Sequence, residues 1–374
     1  MFAGATLATL VLSTLLLPST AGATPTGTTP ASASASASAS ASASASASES
    51  ESAGRGADGR APVVSLLASS LQGASGGTIG PDGALYVTEG AIGQVTRIDP
   101  RTGQTSPLVT GLPQWIVPTG GAIDVAFVGR TAYVLVTMVG DDVPGSTTND
   151  VSGIYRVDGP DSFTVIADIG AWTLQNPPPP EIDIFLARGV QYAMHPVRGG
   201  FLVTDGHHNR VLRVSLSGEV TLVEQFGNTV PTGLATLGPV VFMAEAGPIP
   251  HDPATGTVLA FGLWDPRPRE VASGYSLLVD VEFGRCGLYA LSQGDSPGDV
   301  PDGSPALPDS GELLKVNLDG TFTVVAEGLD RPTSVDFSGD TAYIVAFDGE
   351  VWKVDGGSRS GRQGGGCFGG HHGW

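Results

Sequence analysis

Between residues 62 and 355 the chain alternates short apolar runs with breaks rich in Gly, Asp and Pro, and one phrase recurs along it. The phrase is an apolar strand, a tight turn, a strand centred on an aromatic or large apolar anchor, a polar loop, a strand of the Val-x-Arg/Lys-Val-Asp type, a second turn and a last apolar strand. Apolar runs this short, bounded by turn residues, predict strands rather than helices. The second strand of each repeat reads ALYVTE (84–89), AYVLV (132–136), FLVTD (201–205), VFMAE (241–245), LYALS (288–292) and AYIVA (342–346). Their anchors Tyr86, Tyr133, Leu202, Phe242, Tyr289 and Tyr343 stand 47, 69, 40, 47 and 54 residues apart. Six repeats of roughly fifty residues predict an all-β, six-bladed β-propeller of four-stranded antiparallel blades.

The third strands agree: VTRID (95–99), IYRVD (154–158), VLRVS (211–215), LLKVN (313–317) and VWKVD (351–355), with repeat four departing as VLAFG (258–262). Turns such as GPDG (80–83) and LDG (318–320) supply the Gly and Asp that hairpins need for positive φ. The sixth repeat stops after its third strand, at Asp355, while the array begins with a surplus strand, PVVSLLASSL (62–71). That segment reads like the fourth strands SPLVTGL (106–112) and TVVAEGL (323–329). It is therefore expected to complete blade six and close the ring, removing an open edge between first and last blades.

Extra length falls between strands two and three of blades two, four and five (140–152, 247–256 and 294–311) and before strand one of blade three (170–188). In an up-and-down blade all these connections lie on one face of the disc, so that face is expected to carry function.

The ends have a different composition. An apolar run at 5–17, followed by small residues ending in Ala21-Gly22-Ala23, reads as a signal peptide over 1–23, although it lacks a basic start. The run is shorter than the ~20 residues of a membrane span. Residues 24–61 contain Ala-Ser repeats and no large apolar side chain, so they read as a disordered linker before a propeller at 62–356. The Gly-rich tail 357–374 carries Cys367, His371 and His372, metal-ligand types on what reads as a frayed end. The expectation is a secreted or cell-envelope protein with no membrane span.

Composition narrows the partners. Lys+Arg 18 against Asp+Glu 37 gives a net charge of −19, which excludes a phosphate-neutralising surface and so nucleic acid. Gly 54 and Pro 28 exclude a helical bundle, and two cysteines are too few for a disulfide framework. The partner expected is a small molecule or an extracellular protein or glycan, bound by a monomer.

Candidate chemistry follows from strand positions. Carboxylates end the second strands of blades one, three and four: Glu89, Asp205 and Glu245. Nearer the axis stand Asp124, Gln191, Thr232, Asp280 and Thr333. Asp124 and Asp280 lie in blades two and five, opposite each other in a six-fold ring. Facing carboxylates repel unless a proton or cation lies between them, and oxygen ligands suit Ca²⁺ or Mg²⁺. Asp124, Asp280, Glu89 and Glu245 are therefore metal candidates; the alternative reading is that each Asp accepts bonds from nearby backbone N–H groups. The loop TDGHHNR makes Asp205, His207 and Asn209 binding candidates, with Gln191 and Thr232. No GxSxG, HExxH, P-loop or CxxC motif is present.

FLVTDGHHNRVLRV resembles an NHL-type repeat, and GPDGALYVTEG, GQVTRIDPRTG, VPTGLATLGPVVFMAEAG and LLKVNLDGTFTVVAEGLDRPTSV resemble the ScyD/ScyE family of secreted propellers. The resemblance implies an exported NHL-like or gluconolactonase-like six-bladed fold, with the family's activity unassigned. Related lactonases hold a divalent cation over the channel with a Glu, Asn and Asp set; Pro231-Thr232-Gly233 resembles their Pro-Asn-Gly with a hydroxyl in place of the amide. Two functions are thus expected: a ligand- or partner-binding propeller acting through its elaborated face, or a divalent-cation-dependent lactonase-like hydrolase.

Overall fold

The computed structural model describes residues 62–182, 184, 186–249, 252–265, 267–298 and 304–356. The expected leader, linker and tail lie outside the described residues. Strand β1 (Val63–Ala68) comes first. Blade one is β2 (Ala74–Ile79), β3 (Leu85–Glu89), β4 (Gln94–Ile98) and β5 (Thr105–Val109). Blade two is β6 (Gly121–Val128), β7 (Thr131–Thr137), β8 (Gly153–Gly159) and β9 (Ser162–Asp168). Helix α1 (Ile169–Gln175) then precedes blade three, β10 (Gln191–Val197), β11 (Gly200–Asp205), β12 (Arg210–Ser215) and β13 (Val220–Gln225). Blade four is β14 (Pro231–Leu237), β15 (Val240–Glu245), β16 (Gly256–Gly262) and β17 (Arg269–Tyr275). Blade five is β18 (Leu278–Gly284), β19 (Gly287–Ser292), β20 (Gly311–Val316) and β21 (Phe322–Leu329). Blade six is β22 (Pro332–Ser338), β23 (Thr341–Ala346) and β24 (Val351–Asp355), with β1 as its outer strand.

Six separate four-stranded antiparallel sheets result, and the inner strands pack side by side around the ring, β22 against β2 included. The surplus strand does close blade six: β1 pairs antiparallel with β24 from Val63↔Asp355 to Ala68↔Val351. The chain thus seals its own last blade, and no unpaired edge is left on β24.

Each interface between neighbouring blades has its own apolar layer, which is why the strands are apolar on both faces. Ile123, Leu135 and Ile154 of blade two meet Met194, Phe201 and Leu212 of blade three. Comparable clusters join blades one and two, three and four, four and five, five and six, and six and one. The repeated anchors do specific work in these layers: Tyr86 meets Phe127 at 4.9 Å between centroids, Tyr133 meets Phe201 at 5.0 Å, Phe242 meets Phe283 at 5.2 Å and Tyr289 meets Phe337 at 4.8 Å. Each pair crosses a blade boundary, in offset or edge geometry that adds to area burial.

The long connections lie on one face, as the up-and-down topology requires. Helix α1, not foreseen from the sequence, is capped by Asp168, whose carboxylate accepts the Ala171 N–H at 2.7 Å. Two small apolar clusters fill the space beneath the loops: Met138, Val143 and Leu186 on one side, and Val230, Ala246, Leu277 and Ala306 on the other. No described helix is long and apolar enough to cross a membrane. On the opposite, short-turn face, the β18–β19 hairpin carries Cys286, which is disulfide-bonded.

Candidate functional site

The six inner strands surround an axial cavity of about 230 Å³, lined by Ser75–Thr78, Ile123–Ala126, Tyr192–Pro196, Leu234, Asp280, Glu282 and Thr333–Asp336. At ~30 Å³ per water this holds on the order of seven waters or one small molecule. The first residue of every inner strand (Ala74, Gly121, Gln191, Pro231, Leu278 and Pro332) is buried under the loop-bearing face, whereas the last (Ile79, Val128, Val197, Leu237, Gly284 and Ser338) is at least partly exposed. The cavity is therefore covered on the elaborated side and wetter toward the short turns. Tyr192 lies across the covered end, its hydroxyl donating to the Thr333 carbonyl of the opposite blade at 3.1 Å.

Asp124 and Asp280 both face this cavity, as their opposed positions predict, and each clasps the next blade. Asp124 accepts the Val125 N–H at 2.8 Å and, from blade three, the Met194 N–H at 2.7 Å. Asp280 repeats the arrangement half a ring away with Val281 and, from blade six, Val335, both at 2.8 Å. A glycine in the preceding blade makes room for each: a Cβ on Gly76 would sit 2.3 Å from Asp124 Oδ1, and one on Gly233 2.0 Å from Asp280 Oδ1. Hydroxyls make further clasps. Thr232 donates to the carbonyls of Ala244 and, in blade five, Leu278, at 2.9 and 3.0 Å, so it joins blades rather than facing a ligand.

Burial pushes the Asp124 carboxyl up to about 7, against the pull of its two N–H donors. Burial also raises Asp280 well above the usual carboxylate range, with the charge of Asp124 a smaller contributor. Two further carboxyls, Glu282 and Asp336, occupy equivalent positions two residues on, nearer the open end. Asp336 accepts from the Ile79 N–H at 2.6 Å and the Thr78 hydroxyl at 3.0 Å, both in blade one, and from its neighbour Phe337 at 2.6 Å. Glu282 accepts the Phe283 N–H at 2.6 Å and, among the described residues, nothing from another blade. Burial first, then the adjacent Asp336 charge, raises Glu282 well above its ordinary value. His195 completes the wall; burial lowers it to about 4, and its Nε2 pairs with Thr236 Oγ1 at 3.0 Å. Tyr192, His195, Glu282 and Asp336 were not among the residues expected from the sequence. The signal for Glu282 was present in VDVEF, since residues two apart on a strand share a face.

The remaining candidates serve structure elsewhere. Glu89 does not line the cavity; it accepts the Gln72 N–H at 2.7 Å, Gln94 Nε2 at 3.1 Å and the Thr96 hydroxyl. Glu245 is buried in blade four with Oε1 unpartnered, and burial pushes its carboxyl up to about 7. Among the described residues no group of three or more His, Cys, Asp or Glu side chains is arranged to hold a metal ion, so the four metal candidates are not brought together. The Asp124 and Asp280 oxygens are instead engaged by backbone donors.

Asp205 and Arg210 form a fully buried ion pair at 3.0 Å beneath the α1 loop. Arg210 also donates to the Asn176 carbonyl at 2.7 Å and Thr173 Oγ1 at 3.0 Å, and packs over Trp172 at 5.1 Å. His208 Nε2 meets the Leu186 carbonyl at 2.9 Å, while its Nδ1 lies 3.1 Å from Arg210 Nη2 and 3.3 Å from Asp205 Oδ2. Burial would raise Asp205, but the His208 and Arg210 contacts and the Val190 N–H outweigh it and hold the carboxyl below its ordinary value. Gln191 bonds to Thr137 Oγ1 at 3.1 Å and the Arg188 carbonyl at 3.1 Å. Asn209 takes the left-handed conformation at φ 52° and donates to the Gly227 carbonyl at 2.8 Å. His207 is half-buried on the same turn. Gln191, His208 and Arg210, the last paired with Asp205, thus staple the inserted loop to blade three, while Asn209 ties the turn to the segment after β13; of the two adjacent histidines read from the sequence as a possible base or ligand, His208 is the one engaged in this packing.

No protein-family model matches the sequence, and neither does any curated protein. Solved structures do match in fold. A gluconolactonase from Xanthomonas campestris superimposes with a TM-score of 0.53 at 13% identity, over 79% of this chain and 89% of that one. A luciferin-regenerating enzyme gives 0.52 at 12% identity, over 79% and 95%. The PQQ-bound aldose sugar dehydrogenase of Streptomyces coelicolor gives 0.51 at 13%, over 79% and 98%. The structural neighbours are gluconolactonase-like and NHL-type six-bladed propellers. At these identities the likeness is one of fold.

Proposed function

We propose that this chain is an exported, ScyD/ScyE-like binding propeller that holds a small donor-rich ligand, an amine or a polyol, in its axial cavity. What supports the site is the convergence of Asp124, Asp280, Glu282 and Asp336 on one enclosed space that is wetter toward the short turns. Glu282 carries the reading. Its carboxyl is in the wall near the open end and makes no bond to a neighbouring blade among the described residues, unlike the three aspartates. Glu282 has one backbone donor, from Phe283, and leaving the rest of a buried carboxyl unsatisfied is costly; a ligand bringing N–H or O–H groups offsets that cost. The long-loop face, favoured on sequence grounds, offers less: Glu89, Asp205, Gln191 and Asn209 are engaged beneath the loops, which leaves Glu245 Oε1 as its unpartnered carboxyl oxygen among the candidates. What supports export is the leader-like composition of residues 1–23 and the quoted family phrases.

The test is calorimetric titration of the purified propeller with a panel of small amines and monosaccharides. A cationic amine, whose charge favours the ionised form of Glu282, should lose about tenfold or more in affinity in Glu282→Gln, one hydrogen bond to a charged group being worth ~1.5–3 kcal/mol; a neutral polyol should lose less, about two- to tenfold. Affinity unchanged in Glu282→Gln would reject the cavity site. Ca²⁺ titration of EDTA-treated protein, with Asp124→Ala and Asp280→Ala, tests the lactonase-like alternative. Tight Ca²⁺ binding that is lost in both variants would favour that alternative over a binding propeller for amines or polyols.

A further inference from the structure

The hairpins between the first and second strands of the blades surround the open end of the axial cavity. Blade one carries Asp82 there, blade two Arg130, blade three Arg198, blade five Arg285 and blade six Asp340. Asp82 pairs with Arg97 at 2.8 Å and Arg285 with Asp340 at 3.1 Å, so charge is compensated on the side formed by blades one, five and six. Arg130 and Arg198, on adjacent blades, are exposed and pair with no carboxylate among the described residues. Arg213 joins them: its Nη2 donates to the Arg198 carbonyl at 2.8 Å, and it too lacks an acidic partner. Apart from Arg269 and Lys315, every other described Lys and Arg lies within 4.0 Å of a carboxylate oxygen. A chain of net charge −19 thus gathers three uncompensated cations beside one opening.

The repeat shows how this side came to be uncompensated. At the position of Arg213 in the third strand, blades one and two have Arg97 and Arg156, which pair with Asp82 and Asp158. Blade three has Arg198 in the hairpin where blade one has Asp82, and Ser215 where blade two has Asp158. The arginines border a second hollow of about 410 Å³, lined by Val128, Val197, Thr236, Leu263 and Arg198 among others. Pro196 lines both this hollow and the axial cavity, and Thr236 bonds His195 of the cavity wall. His195, Glu282 and Asp336 pair with the equivalent anchors Leu202, Tyr289 and Tyr343, which puts the three in one layer of the channel. Arg198 is three residues beyond His195, up to ~10 Å along a strand toward the opening.

Resting on the cavity reading above, we propose that the ligand is a zwitterion, whose ammonium enters the axial cavity toward Glu282 and Asp336 while its carboxylate stays in the outer hollow on Arg198, with Arg130 and Arg213 beside it. Acids inside and guanidinium groups at the rim are complementary to the two ends of one molecule, and a guanidinium fork matches a carboxylate in two parallel bonds. The walls between the ends, Val128, Pro196, Val197 and Leu263, are apolar and suit a hydrocarbon spacer. A bare amine or a neutral polyol would leave the cationic rim unused.

The experiment titrates the full chain calorimetrically, in low-salt buffer, with the straight-chain ω-amino acids from 4-aminobutanoate to 8-aminooctanoate, each against its neutral amide. Acid and amide share the ammonium and the spacer and differ only in charge at the far end. At the length that spans the two spaces the acid should bind about fivefold or more tighter than the amide, as a guanidinium–carboxylate contact at a half-exposed site supplies. The double variant Arg130→Gln/Arg198→Gln should bring acid and amide to within about twofold of each other, and Glu282→Gln should weaken both alike. Both substituted arginines are exposed, so the double variant keeps the packing of the blades. Acid and amide binding equally at every length would overturn the zwitterion and leave the amine site in the cavity standing. A preference for the acid that survives the double variant would overturn the role of the arginines, and no binding by any acid or amide would reject the cavity reading together with this one.

Discussion

Asp280 and Gly233 form a matched pair: the carboxylate reaches from blade five to blade six through a space that only a residue without a Cβ leaves open. Gly233→Ala drives a methyl to within 2.0 Å of Oδ1 and should destabilise the fold by ~1–3 kcal/mol through overpacking. Removing the obstructing carboxylate should relieve part of that cost, so Gly233→Ala and Asp280→Ala together should destabilise by less than their separate effects added. Urea midpoints of the two singles and the double form the cycle, and strict additivity would mean the two residues do not share this space. The same reasoning explains why Asp124 and Asp280 were legible as a pair but not in their role. Their opposed placement follows from counting blades, whereas the Met194 and Val335 N–H groups that engage them come from residues 55 or more positions away.

At the scale of an element, β1 carries the sharpest consequence. It contributes exposed side chains over Val63–Ser65 yet supplies the outer edge of blade six. Deleting residues 61–71 should leave the outer edge of β24 unpaired and lower Tm steeply, while deleting 24–59 should leave it nearly unchanged; differential scanning calorimetry of both truncations reads this directly, and equal melting would refute closure by β1. This strand was readable in sequence because a fourth-strand phrase appeared where a repeat had no place for it. Helix α1 was not readable. Its stability rests on the Asp168 cap at the end of β9 and on Arg210 of blade three, which packs over Trp172 and bonds Thr173 of the helix, contacts that the short span cannot supply alone.

For the whole molecule, the buried carboxyls set the pH response. Asp124 and Glu245 are raised to about 7, and Asp280, Glu282 and Asp336 are raised as well. In the unfolded chain these groups release protons near pH ~4. Between about pH 4 and 7 the folded protein therefore binds more protons than the unfolded one, and stability falls as pH rises through that window. Asp205, held low, acts oppositely only as pH falls below the usual carboxylate range, and His195, lowered to about 4, opposes the trend between about pH 4 and 6.5, one imidazole against five raised carboxyls. Tm should be higher at pH 5 than at pH 8, with a shallower decline in Glu245→Gln, whose amide substitutes for the protonated acid. A Tm that rises from pH 5 to 8 would contradict the assignment of these groups.

The blade count, the four-stranded repeat, the closing strand and the face bearing long loops were all present in the sequence, because strand alternation and turn chemistry are local and a repeat states them six times. The contacts of individual polar residues were not. Asp205, Gln191, Thr232 and Asn209 have the identities of binding residues, but only packing determines whether such a group meets solvent, a ligand or a backbone donor from another blade. Here the loops cover the end of the channel they surround, and these four residues beneath them are satisfied by the fold itself. The enclosed carboxyls and the wetter end therefore lie toward the short turns, an outcome set by the tertiary arrangement of six inner strands and absent from the order of residues in any one.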